Sequence, residues 1–181
     1  MYLLQFDGML HTLDESPLKA GMLGYGWLLT YNNIEIAHGF GLFFSRGTAN
    51  SNLAEYLALI EGLEALVDLR IGQAAVEVRG DARCIIDQMN GDASVSAFAT
   101  RKLHKRAYNL ARHFPQLTWK WVPRKENKPA DRLSRRSLRQ LHDNPRAYEA
   151  IISQVNSLPR HQKGLVSLMD LRLYHSHQAR V

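Results

Sequence analysis

The chain has 181 residues, 45% of them apolar, enough for one domain that buries a core without disulfide or metal staples. Its single cysteine, Cys84, excludes an intramolecular disulfide, and no run approaches the ~18 apolar residues of a membrane span. The net charge of +6 is uneven: residues 101–146 carry 14 Lys/Arg against 3 Asp/Glu, a net of +11, while the remainder nets −5.

That asymmetry suggests a polyanionic partner, most simply nucleic acid; the plainer alternative is a solvated basic helix surface. The opening MYLLQFDG has neither the basic start nor the long apolar stretch of a signal peptide. With one cysteine, this leads to an expected cytoplasmic location.

Residues 2–7 read as a short strand ending at Asp7-Gly8, and residues 9–21 as a loop. Residues 23–31 and 34–44 are rich in aromatic and branched side chains, with Asn32-Asn33 between them as a tight hairpin turn. After a loop at 45–51, residues 54–69 repeat Leu57, Ile60, Leu63 and Leu66 at helical spacing, with Asn52 as the expected N-cap. Residues 75–79 alternate as a strand closed by Gly80-Asp81. Helices are expected at 82–90 and 97–113, a fifth strand at 117–122 and a helix opened by Pro129 at about 129–141.

Three hairpin-linked strands followed by strand–helix alternation imply an α/β fold: a mixed five-stranded sheet, three strands antiparallel and two parallel, flanked by helices. Residues 1–141 are expected to form this domain. Residues 142–181 read as a partly helical extension, with a helix near 146–156 and the segment around Gly164 leading into another.

Four acids sit at element ends: Asp7, Glu55, Asp81 and Asp131. Each has a plain structural role open to it. Asp7 suits a turn, Glu55 follows Asn52 at capping-box spacing, Asp81 suits an N-cap, and Asp131 suits a helix's first turn. Together they suggest more. If the first and fourth strands are parallel neighbours, Asp7 and Asp81 lie side by side, and helix starts bring Glu55 and Asp131 to the same sheet edge. Converging carboxylates repel, and hard divalent cations relieve that repulsion.

The pieces FDG (6–8), NLAEYLALIEGLEAL (52–66), GD (80–81) with QMNG (88–91), and WVPRKENKPADRLS (121–134) resemble the type 1 ribonuclease H family, in the family's order across residues 2–141. The resemblance implies the ribonuclease H-like fold and an endonuclease that hydrolyses the RNA strand of RNA–DNA hybrids, leaving 5′-phosphate and 3′-hydroxyl ends. It implies two Mg²⁺ ions, replaceable by Mn²⁺, on Asp7, Glu55, Asp81 and Asp131.

This sequence departs from the family in places. Arg124 stands where many members carry a loop His; it cannot take up a proton at neutral pH but can bind a phosphate. Ala82 replaces a frequent Ser, and the stretch after Asp7 is bulkier than usual. The inserted basic handle of some members is missing, and the helix with Arg101, Lys102, Lys105 and Arg106 offers cations at neighbouring turns instead. Asn50, Ser51, Asn52 and the backbone at Gly8 are candidates for contacts around the cut, and Arg46 and Thr48 for a DNA-strand phosphate.

Two other readings stay open: a nuclease of this fold acting on double-stranded RNA or on branched or single-stranded DNA, and a non-catalytic nucleic-acid-binding module. Trp119 and Trp121 share a face by alternation and are expected to pack in the core. His175 and His177 could pair on a metal, but nearby histidines in a polar tail usually do nothing. The apolar residues of 145–173 suit packing on the domain or self-association.

Overall fold

In the computed structural model, which describes residues 1–12, 20–47, 49–159 and 164–175, the chain opens with three long antiparallel strands. These are β1 (Tyr2–Thr12), β2 (Gly21–Tyr31) and β3 (Ile34–Arg46). The two-residue loop between β2 and β3 needs positive φ at both positions, and Asn32 (48°) and Asn33 (65°) supply it. Then follow α1 (Ser51–Asp68), β4 (Val76–Gly80), α2 (Arg83–Asn90), α3 (Phe98–Ala111) and β5 (Leu117–Trp121). A 3₁₀ turn at Arg124–Glu126 leads into α4 (Lys128–Ser134), α5 (Arg136–His142), α6 (Pro145–Ser157) and β6 (Gly164–Tyr174).

The sheet order is β5-β4-β1-β2-β3-β6, with β4 parallel to β1 and β5 parallel to β4. The expected mixed α/β sheet is present, but with six strands rather than five. The extra one, β6, pairs antiparallel with β3, and it occupies the segment around Gly164 that was expected to lead into a helix. A register shift opposite Leu42/Phe43 disrupts the period-two pattern of β6, so Leu165 and Asp170 differ in parity yet serve the same side. The helix expected at 129–141 is two helices meeting at Arg135.

Helix α1 is buried nearly all round. Its Leu53, Tyr56, Leu57, Ile60 and Leu63 pack on Leu4, Phe6, Tyr25, Trp27 and Leu29 of the sheet, under cover of α2 and α3. Helix α4 crosses the opposite sheet face at Gly24 and Gly26. A Cβ on Gly26 would lie 2.3 Å from the Ser134 nitrogen, and one on Gly24 2.4 Å from the Ser134 oxygen. These two glycines let α4 approach the strand next to β1.

Helix α6 and strand β6 pack on the rest of the fold. Tyr148, Ile151 and Ile152 of α6, with Leu168 and Met169 of β6, surround Met22, Leu42, Leu138 and Leu141. Arg172 of β6 reaches α1, at 2.5 Å from Glu61, 2.8 Å from Glu64 and 3.2 Å from Asp68. Among the described residues no helix is long and apolar enough to cross a membrane.

Candidate metal centre

The parallel β1–β4 pairing ends at Gln5 opposite Arg79. Asp7 and Asp81 each lie two residues further on, side by side as the sequence suggested, but Asp7 does not end its strand. β1 runs on to Thr12 paired with β2, so residues 9–12, expected in a loop, are strand, and the two acids meet where β1 and β4 part. Glu55 comes from α1, which begins a turn earlier than expected. Asn50, not Asn52, caps it, in extended conformation with its side chain accepting from the Leu53 nitrogen at 3.0 Å.

Glu55 therefore has no capping-box duty, and its carboxylate instead accepts from the Gly8 nitrogen at 3.1 Å. Only glycine fits at position 8: a Cβ there would stand 2.2 Å from the Ala54 carbonyl carbon and the Glu55 nitrogen. The candidate ligand oxygens of Asp7, Glu55 and Asp81 lie within 4.8 Å of one another.

Asp131, in the first turn of α4, falls outside that group of three. Its carboxylate accepts from Arg124 at 2.5 Å and from Arg135 at 3.2 Å. It remains close enough for its charge to act on Asp7.

Sequence reasoning missed the residues that hold the acids. Asn127 is fully buried; its Nδ2 donates to the Phe6 carbonyl at 2.8 Å and to Asp81 Oδ1 at 3.0 Å, and its Oδ1 accepts from Gln5 at 3.4 Å. It ties the middle of β1, next to Asp7, to the acid that follows β4. The Ser134 hydroxyl donates to Asp7. Both lie inside the WVPRKENKPADRLS segment, which singled them out as part of a pattern without showing their roles. Asp81 does not cap α2, where no side-chain cap bond forms. Trp121 is 43% exposed rather than in the core; its indole N–H donates to the Asp81 carbonyl at 3.1 Å, and Arg83 lies over its ring. Trp119 does pack on the core.

The electrostatics follow from this crowding. Burial pushes the Asp7 carboxyl up to about 7; Asp81 and Asp131 add to the rise, while Ser134 and Arg124 oppose it. Glu55 is also raised well above the usual range, first by burial and then by Asp7 and Asp81. Partial burial pushes Asp131 up as well, but hydrogen bonds from Arg124 and Arg135 outweigh it and hold its carboxyl low.

Raised carboxyl pKa values mean that the folded metal-free protein binds more protons than the unfolded chain between the ordinary carboxylate range and about pH 7. Its stability therefore falls as pH rises through that window. Adding Mg²⁺ is expected to oppose the fall, with a gain that grows toward neutral pH. Melting curves across this range, with and without Mg²⁺, check it; a loss on acidification from pH 7 to 5 would have the wrong sign.

The other sequence candidates are dispersed. Ser51 is exposed and Asn52 half-buried at the α1 start. The Arg46 guanidinium donates to the carbonyls of Val155, Leu158 and Pro159 at the end of α6. Arg101 and Lys102 lie over the Phe98 ring, and Lys102 and Lys105 line a shallow depression on α3 with Arg106. Thr48, His177 and the middle of the loop after β1 lie outside the described residues.

A family model described as "Reverse transcriptase-like" matches residues 15–137. A ribonuclease HI of Halobacterium salinarum is 33% identical over 118 residues, covering 65% of this chain and 57% of that protein. A bifunctional protein of Mycobacterium tuberculosis is 40% identical over 88 residues, 49% of this chain. The chain spans about a quarter of that protein's length, the matched share being 24%. The crystal structure of an RNase H1 from Halobacterium salinarum superposes with a TM-score of 0.64 at 30% identity, covering 77% of this chain and 98% of the other.

Proposed function

Because the chain belongs to the reverse transcriptase-like family, with type 1 ribonucleases H among its relatives, we propose that it is a ribonuclease H that cuts the RNA strand of RNA–DNA hybrids. One observation carries this reading: three acids far apart in sequence meet at one sheet edge, two of them buried and held above their usual pKa. A binding module gains nothing from that repulsion, whereas an all-oxygen seat for hard divalent cations requires it.

In this reading Asp7, Glu55, Asp81 and Asp131 hold two Mg²⁺ ions, with Mn²⁺ able to substitute. The donor set fits: it is all carboxylate, crowded, and two of its members are buried. Bound there, the ions would supply an activated water and a stabilised leaving oxygen. The chain's own residues do the positioning. Asn127 fixes Asp81, the Gly8 N–H fixes Glu55, and Ser134 fixes Asp7. In this reading a water oxygen would bond to phosphorus as the bond from phosphorus to the 3′ oxygen breaks. The water gives up a proton to solvent and the departing oxygen takes one from solvent, which leaves a 3′-hydroxyl and a 5′-phosphate.

Arg124 is 63% exposed in its side chain, so it can exchange Asp131 for the scissile or departing phosphate. The Gly8 N–H bonds Glu55, and Asn50, Ser51 and Asn52 stand at the start of α1, the helix that carries Glu55; in this reading they contact a hybrid's minor groove and 2′-hydroxyls. The cations of α3, Arg101, Lys102 and Lys105, suit a phosphate strand. Arg46 already commits Nη1 and Nη2 donors to the carbonyls at the end of α6, so a DNA-strand phosphate would share its guanidinium with them.

End-labelled strands presented as RNA–DNA hybrid, RNA duplex, branched DNA and single strands test the reading. The expected result is Mg²⁺-dependent internal cleavage of the RNA strand of the hybrid alone, with 5′-phosphate products. Preferred cutting of another substrate, or bound metal without any cleavage, would overturn it.

A further inference from the structure

A second set of converging ligands lies near the chain end, outside the carboxylate centre. Glu35 and His38 are three residues apart in β3, a spacing that places side chains on opposite faces of a regular strand. The bulge at Ile36 cancels that offset: Leu29 pairs with Ala37, but Thr30 pairs with Glu35. His38 Nδ1 consequently stands 2.6 Å from Glu35 Oε1.

Strand β6 delivers the third member. Tyr174 pairs with Ala37, and the next residue, His175, donates its backbone N–H to the Ile36 carbonyl at 2.9 Å. Its ring Nε2 lies 3.0 Å from the same Glu35 oxygen. The candidate ligand atoms of all three residues lie within 4.8 Å of one another.

We propose that Glu35, His38 and His175 form a zinc-type site that fastens the C-terminal strand to β3. Two imidazoles and one carboxylate are ligands of Zn²⁺, Co²⁺ or Ni²⁺, whereas Mg²⁺ and Ca²⁺ take oxygen donors. Tetrahedral bonds of about 2.0–2.1 Å put ligand atoms roughly 3.3 Å apart. The Glu35 oxygen must retreat a little from His38, and the two ring nitrogens, now within 4.8 Å of each other, must close toward that span; the half-exposed Glu35 and His175 side chains allow both.

The surroundings narrow the choice of ion. Arg132, Arg136 and Arg139 line a cavity of about 380 Å³ together with Glu35 and His38. Their charge opposes any cation held by Coulomb attraction alone, so retention must come from the nitrogen donors, which favours Zn²⁺. The same arginines suit a water or small anion in the fourth position.

The test titrates Zn²⁺ into the chelator-stripped full chain in excess Mg²⁺, which competes for the all-oxygen centre. Calorimetry and melting temperature are the readouts, and the visible spectrum after Co²⁺ substitution reports the geometry. One equivalent that raises the melting temperature is expected. His175→Ala and Glu35→Gln should each weaken it by at least ~100-fold, beyond the loss typical of outer-shell partners, while Asp81→Asn leaves it in place. His175 and Glu35 are half-exposed, so the metal-free variants should melt near the parent. No Zn²⁺ binding, or an equivalent that survives both substitutions, overturns the proposal.

Discussion

Asp81→Asn is expected to lower hybrid cleavage by at least ~1,000-fold, the scale on which loss of a central catalytic group acts. The substitution keeps the shape of the side chain, and the remaining oxygen can still accept from Asn127, now 3.0 Å away. It removes one of the charges that push Asp7 and Glu55 upward. The metal-free variant should therefore melt no lower than the parent. That pairing separates chemistry from folding: a large loss of rate with stability retained. Cleavage within about tenfold of the parent would remove Asp81 from the reaction.

Arg172→Ala is expected to have the largest effect on stability, about 3–5 kcal/mol, because it strands a buried carboxylate. Glu61 is 6% exposed, and Arg172 is its guanidinium partner at 2.5 Å. In a chain of this size the loss corresponds to roughly 10 °C in melting temperature. The double variant Arg172→Met with Glu61→Leu should recover most of it, since an apolar pair of similar volume often matches a buried ion pair. Thermal melts of the three proteins check this. A loss under ~1 kcal/mol in the single variant would show that β6 contributes little through this contact.

Much of this was legible before any coordinates. Helical spacing marked α1, the Asn32-Asn33 pair marked the hairpin, and the parallel pairing of the first and fourth strands placed Asp7 beside Asp81, although β1 continues past Asp7 to Thr12. The failures share a physical cause. Period-two reading breaks at a bulge, and both β6 and the Glu35/His38 pair depend on one. In β6 the polar Asp170 and Arg172 turn toward Tyr25 and α1, so inward positions do not look apolar.

Capping was misassigned because Asn50 and Asn52 are equally good caps by type, and only backbone geometry distinguishes them. Asp131 was expected among the converging acids. Arg124 and Arg135 draw its side chain aside, a contest between neighbouring charges that spacing cannot resolve. Asn127 was hidden for a different reason: a buried amide that bridges a carbonyl and a carboxylate has no periodic signature.

The seat for cations is tested most directly by calorimetric titration of Mg²⁺ into the metal-free chain near pH 7, in buffers that differ in ionisation enthalpy. Asp7, held at about 7, is partly protonated there, and burial raises Glu55 beside it, so binding should release protons. The predicted result is saturable Mg²⁺ binding with a buffer-dependent enthalpy, both reduced in Asp7→Asn. Absence of binding, or binding that neither releases protons nor responds to Asp7→Asn, would contradict the account.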